Sequence, residues 1–422
     1  MAAFFVVSSI YSVFVYVVYP FFYDWGLFLA IQNRDHGFLE FLGAAGYCAV
    51  IIFFAGFVQR GIYGLFNCFL IFTTYIPFFM LMPFFLPEKI FSLDAVVYCM
   101  SAVLFSFVGV MFSRGRGIAF PVSLKSSAFC FFLVALSLTN LLFLVVYFRG
   151  LISVEAFFDV YAHREKYREM AGFASYFLHW QVMVLSPVAL VFGLQLRSFS
   201  LVVLGCLGFI VVFMISSFKV ALVVPFVVGF GYVLRAAWCQ FLSPSFAAIF
   251  ILFLFVSAFV FDYFSGLKAF TPYVADRVFL AHGVQNLMIL DFFSDMPRAL
   301  WGNSFLRHFV EPVYDVDPFI FLGQHYYGRD VRLNTGFVGD GFINFGVYGV
   351  ILSTLVSAFV IILCDLVVGQ KESSLCFLLF LPHFVSLLNG PVQVSLVTNG
   401  LLFFLLVLLL YPKKYIYGAS GG

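Results

Sequence analysis

Charge is what this chain has least of. Asp, Glu, Lys and Arg make up 10% of its 422 residues, against 64% hydrophobic residues and a mean hydropathy of +1.09. Soluble domains carry about 25% charged and 45–50% apolar residues. A water-soluble fold of this length cannot bury so much apolar surface, and disorder requires the opposite composition. The net charge of +2, with no basic block, gives no footing for nucleic-acid binding. Eight cysteines occur without a CxxC pair, and none falls in the polar stretch 262–335, where an extracytoplasmic disulfide framework would be expected. Asn-x-Ser/Thr acceptors are absent too, and these absences fit a bacterial inner-membrane protein. The body of the chain has no Walker-type loop, HExxH pair or nucleophile elbow, which removes ATPase, zinc-protease and serine-hydrolase chemistry. The first apolar run lacks a basic n-region and a small-residue cleavage site, so it reads as a retained span.

What is present in quantity is apolar sequence in lengths of about 20 residues, the length needed to cross roughly 30 Å of hydrocarbon. Twelve such spans are expected: 3–23, 38–58, 62–86, 93–113, 127–148, 173–194, 198–216, 219–238, 241–262, 336–364, 373–389 and 396–412. The fold class is therefore all-α and polytopic, one transmembrane domain over 1–417. Gly418–Gly422 read as an appended remnant. Pro77 and Pro83 should kink the third span without ending it. His383, Asn389 and Pro391 make the eleventh the weakest.

Basic residues in short loops set orientation. Lys413 and Lys414 follow the last span, and counting back places Arg60, Arg114, Arg116, Lys125, Arg197, Arg235 and Lys371 on the same, cytoplasmic side. Both termini are then inside. Two large loops face the periplasm, 149–172 and 263–335, the latter between spans 9 and 10. Loops this long usually carry function, so the active site is expected on that face. Within the longer one, 278–293 reads as an amphipathic or re-entrant helix, and the remainder as a folded cap.

The shorter loop carries His163-Arg164-Glu165-Lys166-Tyr167-Arg168-Glu169, whose like charges repeat at four-residue spacing. A solvated interfacial helix would show this pattern. So would a helix offering Arg164 or Arg168 to a lipid-linked phosphate or sugar. Lys219, between two apolar spans, either snorkels to the interface or awaits a lipid pyrophosphate. From Arg329 to Gly346 the chain runs Arg-Asp-Val-Arg-Leu-Asn-Thr-Gly-Phe-Val-Gly-Asp-Gly-Phe-Ile-Asn-Phe-Gly. Asn334 or Thr335 could cap the tenth span. The glycines could permit close helix contact. Neither explains Asp340 and Asn344 entering an apolar span together, and intramembrane acids are functional hypotheses by default. Asp315-Val316-Asp317 matches the DxD that many nucleotide-sugar transferases use to hold a metal, but two loop acids before a proline arise easily by chance. The histidines show no metal-ligand spacing, so neither metal nor cofactor is expected.

These segments carry a family resemblance. Arg277-Val-Phe-Leu-Ala-His-Gly, then Leu290-Asp-Phe-Phe, then Asn334-Thr-Gly-Phe-Val-Gly-Asp-Gly-Phe-Ile-Asn-Phe-Gly-Val-Tyr-Gly resembles the bacterial oligosaccharide repeat-unit polymerases, the O-antigen polymerase (Wzy) family. Ser216-Ser-Phe-Lys219 resembles the small-residue–Arg segment these enzymes share with the O-antigen ligases, with lysine in place of arginine. The resemblance implies a GT-C-like, metal-independent glycosyltransferase of lipopolysaccharide biosynthesis. Its donor and acceptor would be undecaprenyl-pyrophosphate-linked oligosaccharides, with membrane lipids and a chain-length regulator protein as further partners. An acceptor hydroxyl attacks the anomeric carbon and undecaprenyl pyrophosphate leaves. Cations aimed at the leaving group lower that barrier, and arginine matches phosphate oxygens best. The candidates are Lys219, Arg277, Arg329 and Arg332, with Arg164, Arg168 and Asn334 as further substrate contacts. His325 is the expected base, with Glu311 and Asp340 as rivals. An O-antigen ligase and a lipid-linked oligosaccharide flippase remain the competing readings. No internal repeat supports the flippase.

Overall fold

In lipid, every backbone polar group must find its partner within the chain, which leaves the helix as the form for an isolated apolar segment. The structure, a computed structural model, describes residues 2–24, 37–58, 61–112, 123–233, 243–267, 270–304, 309–368 and 377–412. Among these residues there are helices and no strands. The chain is an all-helical, multi-pass membrane protein. Among the described residues, eight helices are long and apolar enough to cross a membrane: Phe38–Ala55, Ile62–Phe85, Leu93–Phe112, Ser126–Tyr147, Ala174–Leu196, Phe199–Ser216, Pro244–Ser265 and Gly336–Val367. Shorter apolar helices, Ala2–Val18, Val220–Val233, Leu378–Asn389 and Leu401–Leu410, stand where the other four spans were expected. Of the basic residues used for orientation, only Lys125 and Arg197 lie within the described residues.

Proline shapes two of these helices in the same way. Ile71–Tyr75 is a π-helical turn followed by Pro77, and Gln181–Leu185 is another followed by Pro187. Each ring removes one N–H from the helical ladder, and the widened turn redistributes the carbonyls left over. Both helices continue past the ring, as expected for proline in a span.

The chain divides into two compact units. The first comprises Met1–Gly115, Gln240–Ile362 and Leu387–Val392. Its centre is the helix Ile62–Phe85, buried along almost its whole length. Phe78 stacks on Tyr98 at 4.5 Å, Tyr75 shares a hydrogen bond with Ser101 at 2.8 Å, and Asn67 accepts one from Ser106 at 3.2 Å. The polar pairs satisfy each other away from water, as buried polar groups must.

The expected helix 278–293 is not a surface element. It begins earlier, as a π-helical segment Thr271–Leu280 that runs into Ala281–Phe293. Nine of the thirteen residues of Ala281–Phe293 are buried, packed against Ile76–Phe85. A Cβ on Gly283 would lie 2.6 Å from the Phe78 nitrogen, so only glycine allows that approach. Asp262, at the end of Pro244–Ser265, starts the segment by accepting the Phe270 and Thr271 amides at 3.0 and 2.6 Å. It satisfies donors that a helix N-terminus otherwise leaves open.

The tenth expected span is also not one continuous helix. Gly336–Val368 breaks at Phe345 (φ −139°, ψ 15°) and Gly346 (φ 60°, ψ −139°). Residues 336–344, about 13 Å of helix, fold back on the helix that continues beyond Gly346. Gly341 sits against Gly349 and Ser353, positions a straight helix would carry far away. Phe337 lies by Phe105 and Phe342 by Tyr98, so this arm also runs antiparallel to Leu93–Phe112. An arm this short cannot cross the bilayer. It turns back within the fold.

The second unit comprises Arg116–Cys239, Leu363–Ser386 and Gln393–Gly422. Its helices Ala174–Leu196 and Phe199–Ser216 meet through Gly193, Gly205 and Gly208, where a Cβ would press on the facing chain. Gln181 lies fully buried at this contact. It donates to Ser137 and Ser186 at 3.2 and 3.0 Å and accepts from Asn140 at 2.8 Å.

Candidate functional site

Among the described residues of the long loop, one element is docked on the buried helix rather than hanging from it. Pro318–Tyr327 is started by Asp317, whose carboxylate accepts the Phe319 amide at 2.9 Å, and is ended by Gly328 at φ 63°. It lies on Ala281–Phe293 through the Tyr326 hydroxyl, which donates to Asp291 at 2.7 Å, and through Phe292, which meets Phe321 and His325. Before it, Asn303 and Tyr314 clasp the loop, with Asn303 Nδ2 donating to the Tyr314 carbonyl at 2.5 Å.

This docking assembles a group that the sequence keeps far apart. Asp276 stands in the π-helical segment with Arg277 beside it. Tyr327, about fifty residues later in the chain, comes within electrostatic reach of Asp276, and Arg329 within reach of Tyr327. Burial holds the Asp276 carboxyl up at about 7, against the opposing pull of the Arg277 guanidinium. The Tyr327 hydroxyl is likewise raised, first by burial and then by the Asp276 charge, while Arg329 lowers it. Arg277 and Arg329 are exposed. The result is a half-buried acid with one accessible guanidinium beside it and a phenol that a second guanidinium reaches. Such a set can accept a proton and bind an anion in one place.

The other candidates in this unit occupy different settings. Arg332 pairs with Asp317 at 3.4 Å and lies over the Phe319 ring at 5.2 Å, bracing the start of Pro318–Tyr327. His325 is exposed, with its ring against Phe292 and Tyr326. Glu311 and Asn334 are exposed loop residues. Asp340 is buried and accepts from Asn344 Nδ2 at 3.0 Å. Asn344 Oδ1 in turn accepts the Trp301 amide at 2.7 Å.

Arg298 is the arginine that sequence reasoning passed over. It donates to the Phe293 carbonyl at 2.7 Å and the Phe342 carbonyl at 3.4 Å, and it lies over the Phe342 ring at 4.8 Å. The Ala299 and Leu300 amides take the next two carbonyls, Ile343 and Asn344, at 3.1 and 3.3 Å. One short stretch thus satisfies the end of the 336–344 arm, where carbonyls would otherwise be orphaned. The signal available was Asn344 beside Gly346, a helix-ending pair inside an apolar run.

The candidates of the second unit sit around a left-handed residue, Ser217 at φ 52°, which ends Phe199–Ser216. The short loop folds as Val160–Ala171 over that end. Arg164 donates to the Ser217 carbonyl at 2.8 Å, and His163 Nε2 lies 2.9 and 3.1 Å from the Met214 and Ile215 carbonyls. These contacts need the imidazole nitrogen as donor. Arg168 pairs with Glu165 at 3.3 Å in the open, and Lys219 is exposed just past the turn.

No group of three or more His, Cys, Asp or Glu side chains that could hold a metal ion occurs among the described residues. Compared with known proteins, the chain matches no family model, no curated protein and no solved structure.

Proposed function

We propose that this chain is a membrane-embedded glycosyltransferase that polymerises undecaprenyl-pyrophosphate-linked oligosaccharide repeat units into O-antigen or a similar surface polysaccharide. The reading comes from the resemblance of residues 277–349 to the repeat-unit polymerases. The observation that supports it is the grouping of Asp276, Arg277, Tyr327 and Arg329 on the long loop. In this reading twelve spans place both termini in the cytoplasm and this group at the periplasmic face of the inner membrane.

The chemistry rests on charge. As the acceptor oxygen forms its bond to the anomeric carbon, the bond from that carbon to the pyrophosphate oxygen breaks, and the electron pair leaves on pyrophosphate. Negative charge grows on a group that is already anionic, so preorganised guanidiniums stabilise the transition state more than the ground state. Arg277 and Arg329 have the exposure this needs. Both substrates are tethered to lipid, and proximity on one membrane replaces much of the entropy cost of bringing them together.

Deleting the gene in its host and separating the surface polysaccharide by size tests the reading. The expected result is lipid A core bearing a single repeat unit. Long chains that persist in the deletion overturn it, and loss of every unit overturns it in favour of a ligase or a flippase.

A further inference from the structure

We infer that a cavity at the start of the 336–344 arm, lined by Thr74, Asn286, Thr335 and Leu388, binds one monovalent cation of sodium size. Such a site is independent of the reaction proposed above.

The cavity measures ≈ 10 Å³, and every residue around it belongs to the first unit. That is room for about one water-sized particle. Thr74 comes from the π-helical turn Ile71–Tyr75 and Asn286 from Ala281–Phe293. Thr335 and Gly336 open the arm, and Leu388 belongs to the last turn of the helix Leu381–Asn389. All three side chains are buried, Asn286 to 1% exposure. Asn286 Nδ2 donates to the His282 carbonyl at 2.7 Å, which fixes the amide with its oxygen pointing the other way. That Oδ1 lies against the arm, 3.1 Å from the place a Cβ on Gly339 would take. It has no hydrogen-bond partner among the described residues. Thr335 directs its hydroxyl proton at the Gly336 carbonyl, at 3.5 Å, and its oxygen keeps its lone pairs. The Leu388 carbonyl stands against Gly336, 2.7 Å from where a Cβ would be.

The chemistry of the wall is that of an acceptor cage. Asn286 and Thr335 have turned their donors onto backbone carbonyls, and a third carbonyl stands close by. A water molecule can donate to two such oxygens, whereas a cation can take lone pairs from all of them. No carboxylate lines the cavity, so a divalent ion would bring two charges with none to meet them. Membrane proteins hold sodium with carbonyls at the ends of interrupted helices, and the arm that begins at Gly336 is one half of such a helix. The last turn of Leu381–Asn389 presents the negative end of its dipole, and the start of the arm presents the positive end of its own. These two ends oppose each other, which leaves the side-chain oxygens to decide. A cation held here clasps the base of the arm to Ala281–Phe293 and to the π-helical turn, elements that lie far apart in the sequence.

The test uses full-length protein purified in detergent in choline chloride, then moved to sodium, potassium or choline chloride at equal ionic strength. Sodium should raise the melting temperature saturably, by about 3 °C or more over choline. Potassium should give less than half of that shift. Radioactive sodium should bind at about one ion per chain, as expected of a single site. Asn286→Leu and the nearly isosteric Thr74→Val should each weaken sodium binding by about tenfold or more, the loss expected when a ligand oxygen is removed. Should Asn286→Leu fail to fold, Thr74→Val and Thr335→Val make the same comparison. Equal melting in the three salts, or sodium binding unchanged in the variants, overturns the site and leaves a cavity that holds water only. Potassium stabilising as strongly as sodium overturns the assignment of a sodium-sized ion.

Discussion

Gly341 and Gly349 meet backbone to backbone, although a straight helix would hold them about 12 Å apart. Neither has room for a Cβ, because the carbonyl of the other occupies that space. This contact closes the hairpin that turns the 336–344 arm back on the helix after it. Replacing Gly349 with Leu should therefore cost at least the roughly 1–3 kcal/mol typical of overpacking. The expected outcome is a lower melting temperature in detergent with the chain still inserted, read by a thermal-shift assay. An unchanged melting temperature would remove the hairpin.

Arg298 stands where that hairpin turns. A Cβ on Gly346 would lie 3.1 Å from its Nε, and its guanidinium donates to carbonyls from two helices. Arg298→Lys keeps the charge and loses the planar fork, so it should fall well short of rescue. Arg298→Ala should cost roughly 1–3 kcal/mol, the usual penalty for orphaned buried acceptors. Purified yield and melting temperature should both drop. Unchanged values would mean that Arg298 does not hold the fold.

Much of this architecture was legible because lipid imposes it. Twenty apolar residues in a row mean a helix, and among the described residues eight of the twelve expected spans hold helices long and apolar enough to cross, with shorter apolar helices at the other four. What could not be read was reversal. The run from Gly336 to Val368 is apolar apart from a few polar residues and reads as one long helix; the marks of two folded together are Asn344 and Gly346, the latter at φ 60°. The same blindness governed the site. Asp340 and Asn344 attracted attention as polar residues in an apolar span, and they hydrogen-bond to each other and to the Trp301 amide. Asp276 drew none, because Tyr327, which its charge reaches, lies far along the chain, and nothing in one sequence reports that proximity.

Arg332 offers a sharper separation than sequence allowed. Its guanidinium is half-exposed and paired with Asp317, across a contact that braces the docked helix. Exposed pairs contribute about 0–1 kcal/mol, so Arg332→Ala should lower the polymerisation rate modestly, and Asp317→Asn should have a similar effect. Arg277→Ala and Arg329→Ala should instead lower it by about 100-fold. Polymer ladders from the four variants at matched protein levels decide this. A loss at Arg332 as deep as that at Arg277, without one at Asp317, would move Arg332 into contact with substrate.

In the second unit, Arg164 and Arg168 are one helical turn apart and should behave differently. Arg164 ties Val160–Ala171 to the Ser217 carbonyl, and Arg168 faces outward with Glu165. Arg164→Ala should free that helix, seen as faster amide exchange over 160–171. Arg168→Ala should leave exchange as it is. Equal exchange in both variants would mean that His163, on the carbonyls of Met214 and Ile215, holds the helix by itself.

The raised pKa of Asp276 ties the stability of the fold to pH. An unfolded aspartate titrates near 3.9, and in the folded chain burial moves this carboxyl up to about 7. Between those values the native state holds a proton that the unfolded state has released. Stability therefore falls as pH rises across that window and levels off above it. Asp276→Asn cannot ionise, so it should be free of this loss. The wild-type melting temperature should fall from pH 4 to 8 more steeply than that of the Asn variant, and the variant should be the more stable protein at pH 8. Parallel melting curves across the range would mean that Asp276 is solvated in the membrane-bound protein.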